Sequence, residues 1–464
     1  MRRQGRWSGS RGGGGIGVGR GEEVVGKGLD HVAPAQVVAM EAARLGEAAL
    51  EHVLERHRPL GALFGRWSVG WRSRMGAWPD VAFVQGAARS LLRWWGWIEP
   101  LRVATTEEAL LIAVLMDADR VPAACRIWAG VAGRRLDELV PCGDAPSWTA
   151  RTAGFKRLAG RSDALADPWR LFPAVYRSMA MVPPGEGTLK ERQVEAISWL
   201  QKPAPVWVRV EHESGWERVR AEGWKPWIHR RLKRTGRIER GVPAEALGGL
   251  ASEGVVEIQD LGSQLVGYVG QPQRGQRWWV PVAERGVEAI HLAALMEGKG
   301  VVVASAGSES GVRGLLRKAR VSPHRNLTAR VWDGRHVVGK AGRYDGVVVT
   351  PASTAIGAWR RMPEGRWLVP GDGGIGLAER QQAALRAAAA GVKPGGVLVY
   401  AVPTLTVAET RGVIQRFLED HPEFTLEPFC EPLEGAETDG TWTLWPMAAD
   451  SDGWFYARMR RAGG

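Results

Sequence analysis

From Gly254 to Met459 short β-branched runs alternate with stretches of helical spacing, and this alternation constrains the fold more than any other feature. Val301–Ala304, Gly346–Thr350 and Val397–Val402 are apolar on both faces, as strands covered on both sides of a parallel sheet must be. Parallel neighbours need long crossovers, and Val287–Met296, Ser310–Ala319 and Ala378–Ala390 supply them as helices. The last is expected to stop at Gly391, with Pro394 beyond it as a normal helix exit. Thr441–Trp445, a turn at Asp452-Gly453 and Trp454–Met459 predict an antiparallel hairpin. Residues 254–464 are therefore expected to form an α/β domain with a parallel sheet closed by a terminal hairpin.

Upstream the period changes. Val38, Ala42, Leu45, Ala49 and Val53 recur in steps of three or four, as do Val84, Ala88, Leu91 and Leu92. Thr105-Thr106 ahead of Glu107-Glu108 reads as a helix start with acids in its first turn. Residues 30–182 are expected to be a helical accessory domain. Pro183-Pro184-Gly185 marks a linker. Residues 183–253 then read as a small α/β subdomain, with a helical stretch Val194–Gln201 and a strand Val206–Val210. Residues 1–29, rich in Gly and Arg, cannot bury a core and predict a flexible basic tail.

Charge narrows the partner. The formal net charge is +12, and ten of the 62 basic residues are lysine. Such a balance favours a polyanion, nucleic acid before membrane, although a general bias toward Arg, Ala and Gly produces the same excess. The basic side chains concentrate between Trp224 and Arg240, where Lys225, Arg230, Arg231, Lys233, Arg234 and Arg237 precede Arg240 against one acid, Glu239. Trp224 and Trp227 lie among them. Cations neutralise phosphates and aromatics stack on unpaired bases; a solvated helix face is the alternative. The pairs Trp94-Trp95 and Trp278-Trp279 read as core. Three cysteines exclude a disulfide framework or a cysteine-rich zinc site. No apolar run approaches the ~18–20 residues of a membrane span, and the N-terminus lacks a secretory apolar region. A reducing cytoplasm and no membrane partner are expected.

A chain of landmarks then carries a resemblance. Ile258-Gln259-Asp260 comes with Ser263-Gln264, followed by Trp332-Asp333-Gly334 and Tyr344-Asp345-Gly346. Gly357-Ala358-Trp359-Arg360-Arg361-Met362-Pro363, Val392-Lys393-Pro394-Gly395-Gly396 and Leu398-Val399-Tyr400-Ala401 come next, and Trp445-Pro446 and Asp452-Gly453 with Phe455 close the series. In order and spacing residues ~205–461 resemble the RsmB/NOP-type RNA cytosine-5 methyltransferases, especially bacterial ribosomal-RNA members. The resemblance implies a class I methyltransferase-like (Rossmann-like) domain behind a small RNA-binding subdomain, with S-adenosylmethionine as cofactor and ribosomal RNA as partner. It also implies a mechanism. A cysteine thiolate adds to carbon 6 of a flipped-out cytosine, an Asp steadies the ring nitrogen, carbon 5 takes the methyl group, and a second cysteine helps release the product.

The positions that would carry this chemistry depart from the family. Where the family has Thr-Cys-Ser this chain has Val402-Pro403-Thr404, so Pro403 stands for the nucleophile. The Asp-Ala-Pro-Cys-Ser motif falls on Thr350-Pro351-Ala352-Ser353-Thr354, which replaces the acid by Thr350 and the second cysteine by Ser353. In the cofactor loop, residues 280–289, Gly286 is the one glycine kept, Glu284 and Val287 occupy glycine positions, and Glu288 stands for lysine. Ala306 replaces the ribose acid; Asp333, near the adenine edge, matches. Glu309 is a second candidate for the ribose. The expected catalytic set is thus vestigial and the expected cofactor contacts reduce to Asp333 and Gly286. Lys225, Arg230, Arg231, Lys233, Arg234, Arg360 and Arg361 are the expected RNA contacts. This pattern reads as a catalytically degenerate homologue that retains RNA binding. The alternatives are an active methyltransferase with a rearranged site, or a protein-interaction scaffold working beside an active paralogue or a ribosome component.

Overall fold

A computed structural model describes residues 34–75, 81–143, 145, 147–174, 182–238, 247–283, 285–372 and 374–463. The basic tail 1–29, Glu239, Arg240 and Glu284 lie outside the described residues. Six α-helices open the described chain: α1 Pro34–Leu50, α2 Leu60–Met75, α3 Val81–Ile98, α4 Thr106–Asp117, α5 Ala123–Val131 and α6 Trp148–Ala159. α4 starts where the sequence says it does. The Thr105 hydroxyl accepts the Glu108 N–H at 3.2 Å, a cap that stabilises a helix by about 1 kcal/mol. Every residue of α4 from Ala109 to Met116 is buried, so this helix is the centre of the bundle. α7, Leu189–Gln201, follows behind a capping box between Thr188 and Glu191.

A small antiparallel sheet comes next. Its strands are β1 Trp207–Val210, β2 Trp227–Ile228, β3 Thr235–Arg237 and β4 Val256–Ile258, in the order β2-β3-β1-β4. α8, Gly215–Ala221, covers one face, with Trp216 and Val219 buried against Val208 and Val210. α9, Gly248–Ser252, and α10, Leu261–Gly270, lead into the large sheet.

The large sheet holds β5 Arg277–Val280, β6 Val301–Ala306, β7 Leu327–Val331, β8 Tyr344–Val349 and β9 Val392–Val402 in parallel. The crossovers are α11 Val287–Leu295, α12 Glu309–Val321 and α13 Ile375–Ala389. α14, Arg411–Asp420, β10 Phe424–Leu426, β11 Thr441–Leu444, α15 Pro446–Ala449 and β12 Trp454–Arg461 complete the chain. β12 runs antiparallel to β9 and pairs with both β10 and β11, which is the expected terminal hairpin. Trp94, Trp278 and Trp279 are core, as their pairing predicts. The last crossover helix ends ahead of Gly391 as expected, and β9 already begins at Val392, so Pro394 falls inside the strand, at a register shift where Gly395 has φ +72°.

Candidate functional site

The path order β7-β6-β5-β8-β9 reverses direction between β5 and β8. In an open parallel sheet, ligands bind outside the carboxyl ends of the strands at such a reversal. The residues expected at the family's chemistry positions lie on this rim. Thr350 directly follows β8, and its Oγ1 donates to the Val282 carbonyl beyond β5 at 3.2 Å. The Ser353 hydroxyl accepts the Ala355 N–H at 3.1 Å. Pro403 directly follows β9, and its carbonyl accepts the Gly357 N–H at 3.0 Å. Gly357 must be glycine, since a Cβ there would sit 1.9 Å from the Gly453 carbonyl oxygen. The fold therefore brings Thr350, Ser353 and Pro403 to one rim. The cysteines are elsewhere. Cys125 and Cys142 are buried among the N-terminal helices, burial pushing the Cys125 thiol up to about 12, and Cys430 is a free, exposed cysteine whose backbone pairs with that of Glu437 near the terminal hairpin.

Behind this rim is a cluster the sequence reading missed. Glu409 is fully buried and its carboxylate accepts from five groups. The Thr354 N–H and the Gln381 amide reach one oxygen, each at 2.9 Å. The hydroxyls of Thr354, Thr404 and Thr406 reach the other at 2.5, 3.2 and 2.9 Å. The Thr354 and Thr404 hydroxyls also lie 2.7 Å apart. A buried charge is tolerated only with donors of this number and quality. The signal was present: Glu409 follows the apolar run Val397–Val402 in a stretch that also holds Thr404, Thr406 and Thr410. These hydroxyls donate to a carboxylate and are closed to solvent, so they tie the loops after β8 and β9 together.

On the cofactor side Gly286 adopts φ +71°, and a Cβ would stand 2.9 Å from Leu315 of the chain's own helix α12. Its glycine is explained by the turn into α11. Glu288 accepts the Ser263 hydroxyl at 2.7 Å. Ala306, the residue expected at the ribose position, ends β6 and is buried. Asp333 is in a turn: its Oδ1 accepts the Arg335 and His336 N–H groups, each at 2.8 Å. Those bonds, with the His336 ring, hold its carboxyl well below the usual carboxylate range. Glu309 is exposed in the first turn of α12.

The expectation for Arg360 and Arg361 needs correcting. Arg360 is fully buried. Its guanidinium donates to the carbonyls of Lys202, Ser451 and Pro203 at 3.1, 2.9 and 3.3 Å and to Asp450 at 2.5 Å. No face of it is left for a phosphate. Arg361, a third exposed, bridges Asp260 at 3.0 Å and Asp452 at 3.3 Å. Burial works against its charge, yet those two carboxylates raise its pKa above the usual arginine value. Both arginines join the rim loop to the small subdomain's linker and to the terminal hairpin.

The basic stretch near Trp227 is differently placed. Its described part runs from Lys225, just before β2, through β2 and the following turn to β3, so the face is built of strands and a turn and is not helical; a solvated face remains its alternative reading. Lys225, Arg230, Arg231 and Lys233 are exposed and Arg234 is half-buried. Arg230 pairs with Glu434, and Arg231 donates to the Glu434 carbonyl at 3.0 Å. Arg234 donates to the Glu211 carbonyl at 3.1 Å. Trp227 is 48% exposed at a cleft of about 830 Å³ that Trp199, Trp207 and Trp442 also line. Arg237 lies 5.1 Å from the Trp227 ring centroid.

The architecture and the landmarks have counterparts among known proteins. The family model described as 16S rRNA methyltransferase RsmB/F matches residues 268–460. A probable ribosomal RNA small subunit methyltransferase B from Synechocystis sp. is 32% identical over 221 residues, 46% of this chain and 49% of its own. The ribosomal RNA small subunit methyltransferase B of Salmonella paratyphi B is 29% identical over 278 residues, 58% of this chain and 62% of its own. The chain thus spans between about half and three-fifths of the length of these curated relatives. The crystal structure of PH0851 shares the fold across nearly the whole chain: TM-score 0.68, 19% identity, 93% of this chain and 99% of that one. The likeness to the RsmB/F methyltransferase family therefore lies in residues 268–460, the span of the large sheet and its terminal hairpin.

Proposed function

We propose that this chain is an RNA-binding member of its family that does not run the cysteine-dependent methyl transfer. The observation that carries the reading is the rim, where Thr350, Ser353 and Pro403 stand at the strand ends and the neighbouring threonine hydroxyls are committed to Glu409. A thiol ionises near ~8.5 and is nucleophilic at neutral pH; a hydroxyl ionises far above that, the Ser353 hydroxyl has no carboxylate beside it among the described residues, and the threonine hydroxyls that do face Glu409 are buried. Proline offers neither. The cofactor's recognition groups fit poorly too. Ala306 supplies no ribose acceptor, and the Asp333 carboxylate is spent on its own turn. No step through S-adenosylmethionine is therefore derived. The 30–182, 183–253 and 254–464 division and a cytoplasmic site of action belong to the same proposal, as does ribosomal RNA as ligand, which the relatives' names support.

Three measurements test it. Calorimetry with S-adenosylmethionine should give no binding at micromolar concentrations. RNA carrying 5-fluorocytosine should leave no covalent adduct on a denaturing gel; an adduct abolished by Ser353→Ala or Thr404→Ala restores the active-enzyme alternative. RNA titrations across salt should give a log–log slope of roughly 0.7 per contacted phosphate. Alanine at Arg230, Arg231 and Arg234 together should lower that slope by about two. An unchanged slope in that variant shifts the weight to the interaction scaffold.

A further inference from the structure

The outer edge of the large sheet carries a basic surface that the sequence reading passed over. From Ser310 to Arg343 there are nine Lys and Arg residues and one carboxylate, Asp333. On α12, Arg313, Arg317 and Arg320 are exposed on one face at helical spacing, spanning about 10 Å along the axis at ~1.5 Å per residue. β7 pairs only with β6 and so ends the sheet, and Arg330 is exposed on it. Arg335, Lys340 and Arg343 are exposed in the loop that follows. Burial raises the pKa of the Tyr344 hydroxyl at the end of this loop, against the opposing charges of Arg277, Arg343 and Arg330.

Two things separate this edge from an ordinary solvated face. Among the described residues Lys318 finds a carboxylate, Glu257 at 2.7 Å, whereas the three arginines of the α12 face have no ion-pair partner. Like charges three and four residues apart destabilise a helix, by a few tenths of a kcal/mol per pair. The fold thus carries repulsion here that a polyanion relieves. The edge is also joined to the basic stretch of the small subdomain. Arg234 donates to the Glu211 carbonyl, and His324 Nε2, just beyond α12, stands 3.2 Å from the Glu211 carboxylate.

We infer that α12, β7 and the loop 332–343 form a second phosphate-binding surface, which takes an RNA backbone onward from the small subdomain without reading its sequence. The inference rests on the reading of the chain as an RNA binder. An anionic membrane fits less well. A helix lying on a bilayer needs an apolar face to insert, and the apolar face of α12, with Val312 and Leu315, is buried in the fold.

The test uses the full chain and a labelled single-stranded RNA long enough to span both surfaces. Arg313→Ala/Arg317→Ala/Arg320→Ala should lower the salt slope by about two, at roughly 0.7 per phosphate, with a melting temperature that holds or rises slightly as the repulsion is relieved. The same three positions as lysine should keep the slope. Arg330→Ala/Arg335→Ala should lower it independently. If the wild type binds RNA and both alanine variants keep its slope and affinity, the second surface is refuted while RNA binding stands. If the wild type binds no RNA at low salt, the RNA-binding reading falls and this surface with it. Loss of binding to phosphatidylglycerol vesicles with RNA binding intact assigns the edge to a membrane and overturns the inference.

Discussion

Two arginine-rich stretches look alike in the sequence and have opposite fates in the structure. Arg360, Arg361 and Arg366 follow the rim loop; Arg230, Arg231 and Arg234 join two short strands. Arg360 and Arg366 have no exposed surface, and their donors go to backbone carbonyls from three parts of the chain. Arg366 reaches Arg93, Leu171 and Leu200, so it ties the helical domain to the rim; burial pulls its pKa down to about 9. In return Arg93 donates to the Arg360 carbonyl at 2.8 Å. In the other stretch Arg230 and Arg231 are exposed and meet acceptors of only one neighbouring residue, Glu434. The difference teaches that an arginine's role is set by how many fixed acceptors surround its fork, not by how many arginines adjoin it.

The sharpest way to break this comparison is to delete one arginine from each stretch. Arg360→Ala leaves the Asp450 carboxylate and three carbonyls without their buried partner. Removing one half of a buried ion pair typically destabilises by about 3–5 kcal/mol. Arg237, 3.0 Å from the other Asp450 oxygen, remains, which favours the lower end. Arg230→Ala, at an exposed pair, should stay within about 0.5 kcal/mol. Urea unfolding monitored by far-UV dichroism reads both. A loss below about 1 kcal/mol for Arg360→Ala would mean that its bonds are no stronger than those at the surface.

Why one stretch was misread follows from where its partners are. The acids that claim Arg360 and Arg361 are Asp450, Asp452 and Asp260, some 90 to 101 residues away along the chain. Nothing local marks such a pairing. The strands were legible for the opposite reason: β-branched runs such as Val301–Ala304 and Val397–Val402 carry their burial in their own composition. The Thr105 cap was legible because it acts over three residues. Glu409 lies between these cases. Its partners Thr404 and Thr406 are adjacent, but Thr354 and Gln381 come from 55 and 28 residues away. The cationic edge on α12 and β7 was visible as composition, yet only the sheet order shows that its residues share one end of the molecule.

A smaller effect sharpens the exposed half of the comparison. Trp227 sits beside Arg237 with about half its surface open, while its edge-on neighbour Trp207 is buried. If it stacks a base, Trp227→Ala should weaken RNA binding by ~1–3 kcal/mol with little change in salt slope. The melting temperature should hold. A variant that loses several degrees of stability and no affinity would place Trp227 with the core tryptophans.

A last prediction probes the buried flank of the second stretch, where Arg234 acts on a histidine. His291 on α11 is buried against Tyr268, and its Nδ1 has no hydrogen-bond partner among the described residues. Burial, then the charges of Arg209 and Arg234, hold its pKa well below 6.5. Arg209 is itself buried and paired with Glu211 at 2.9 Å. The sign follows from linkage. The unfolded chain takes up a proton at His291 as the pH drops below about 6.5, and the native state does not. The histidine's contribution to stability is therefore complete above that value and declines below it, by at most about 1.4 kcal/mol per pH unit. The decline continues down to the depressed native pKa. His291→Gln removes the titration, so its unfolding free energy should fall less steeply between pH 7 and pH 5 than the wild type's, whatever the absolute stabilities. Equal slopes for the two proteins would show that His291 protonates in the native state, against the burial and the neighbouring charges of Arg209 and Arg234 that hold its pKa down.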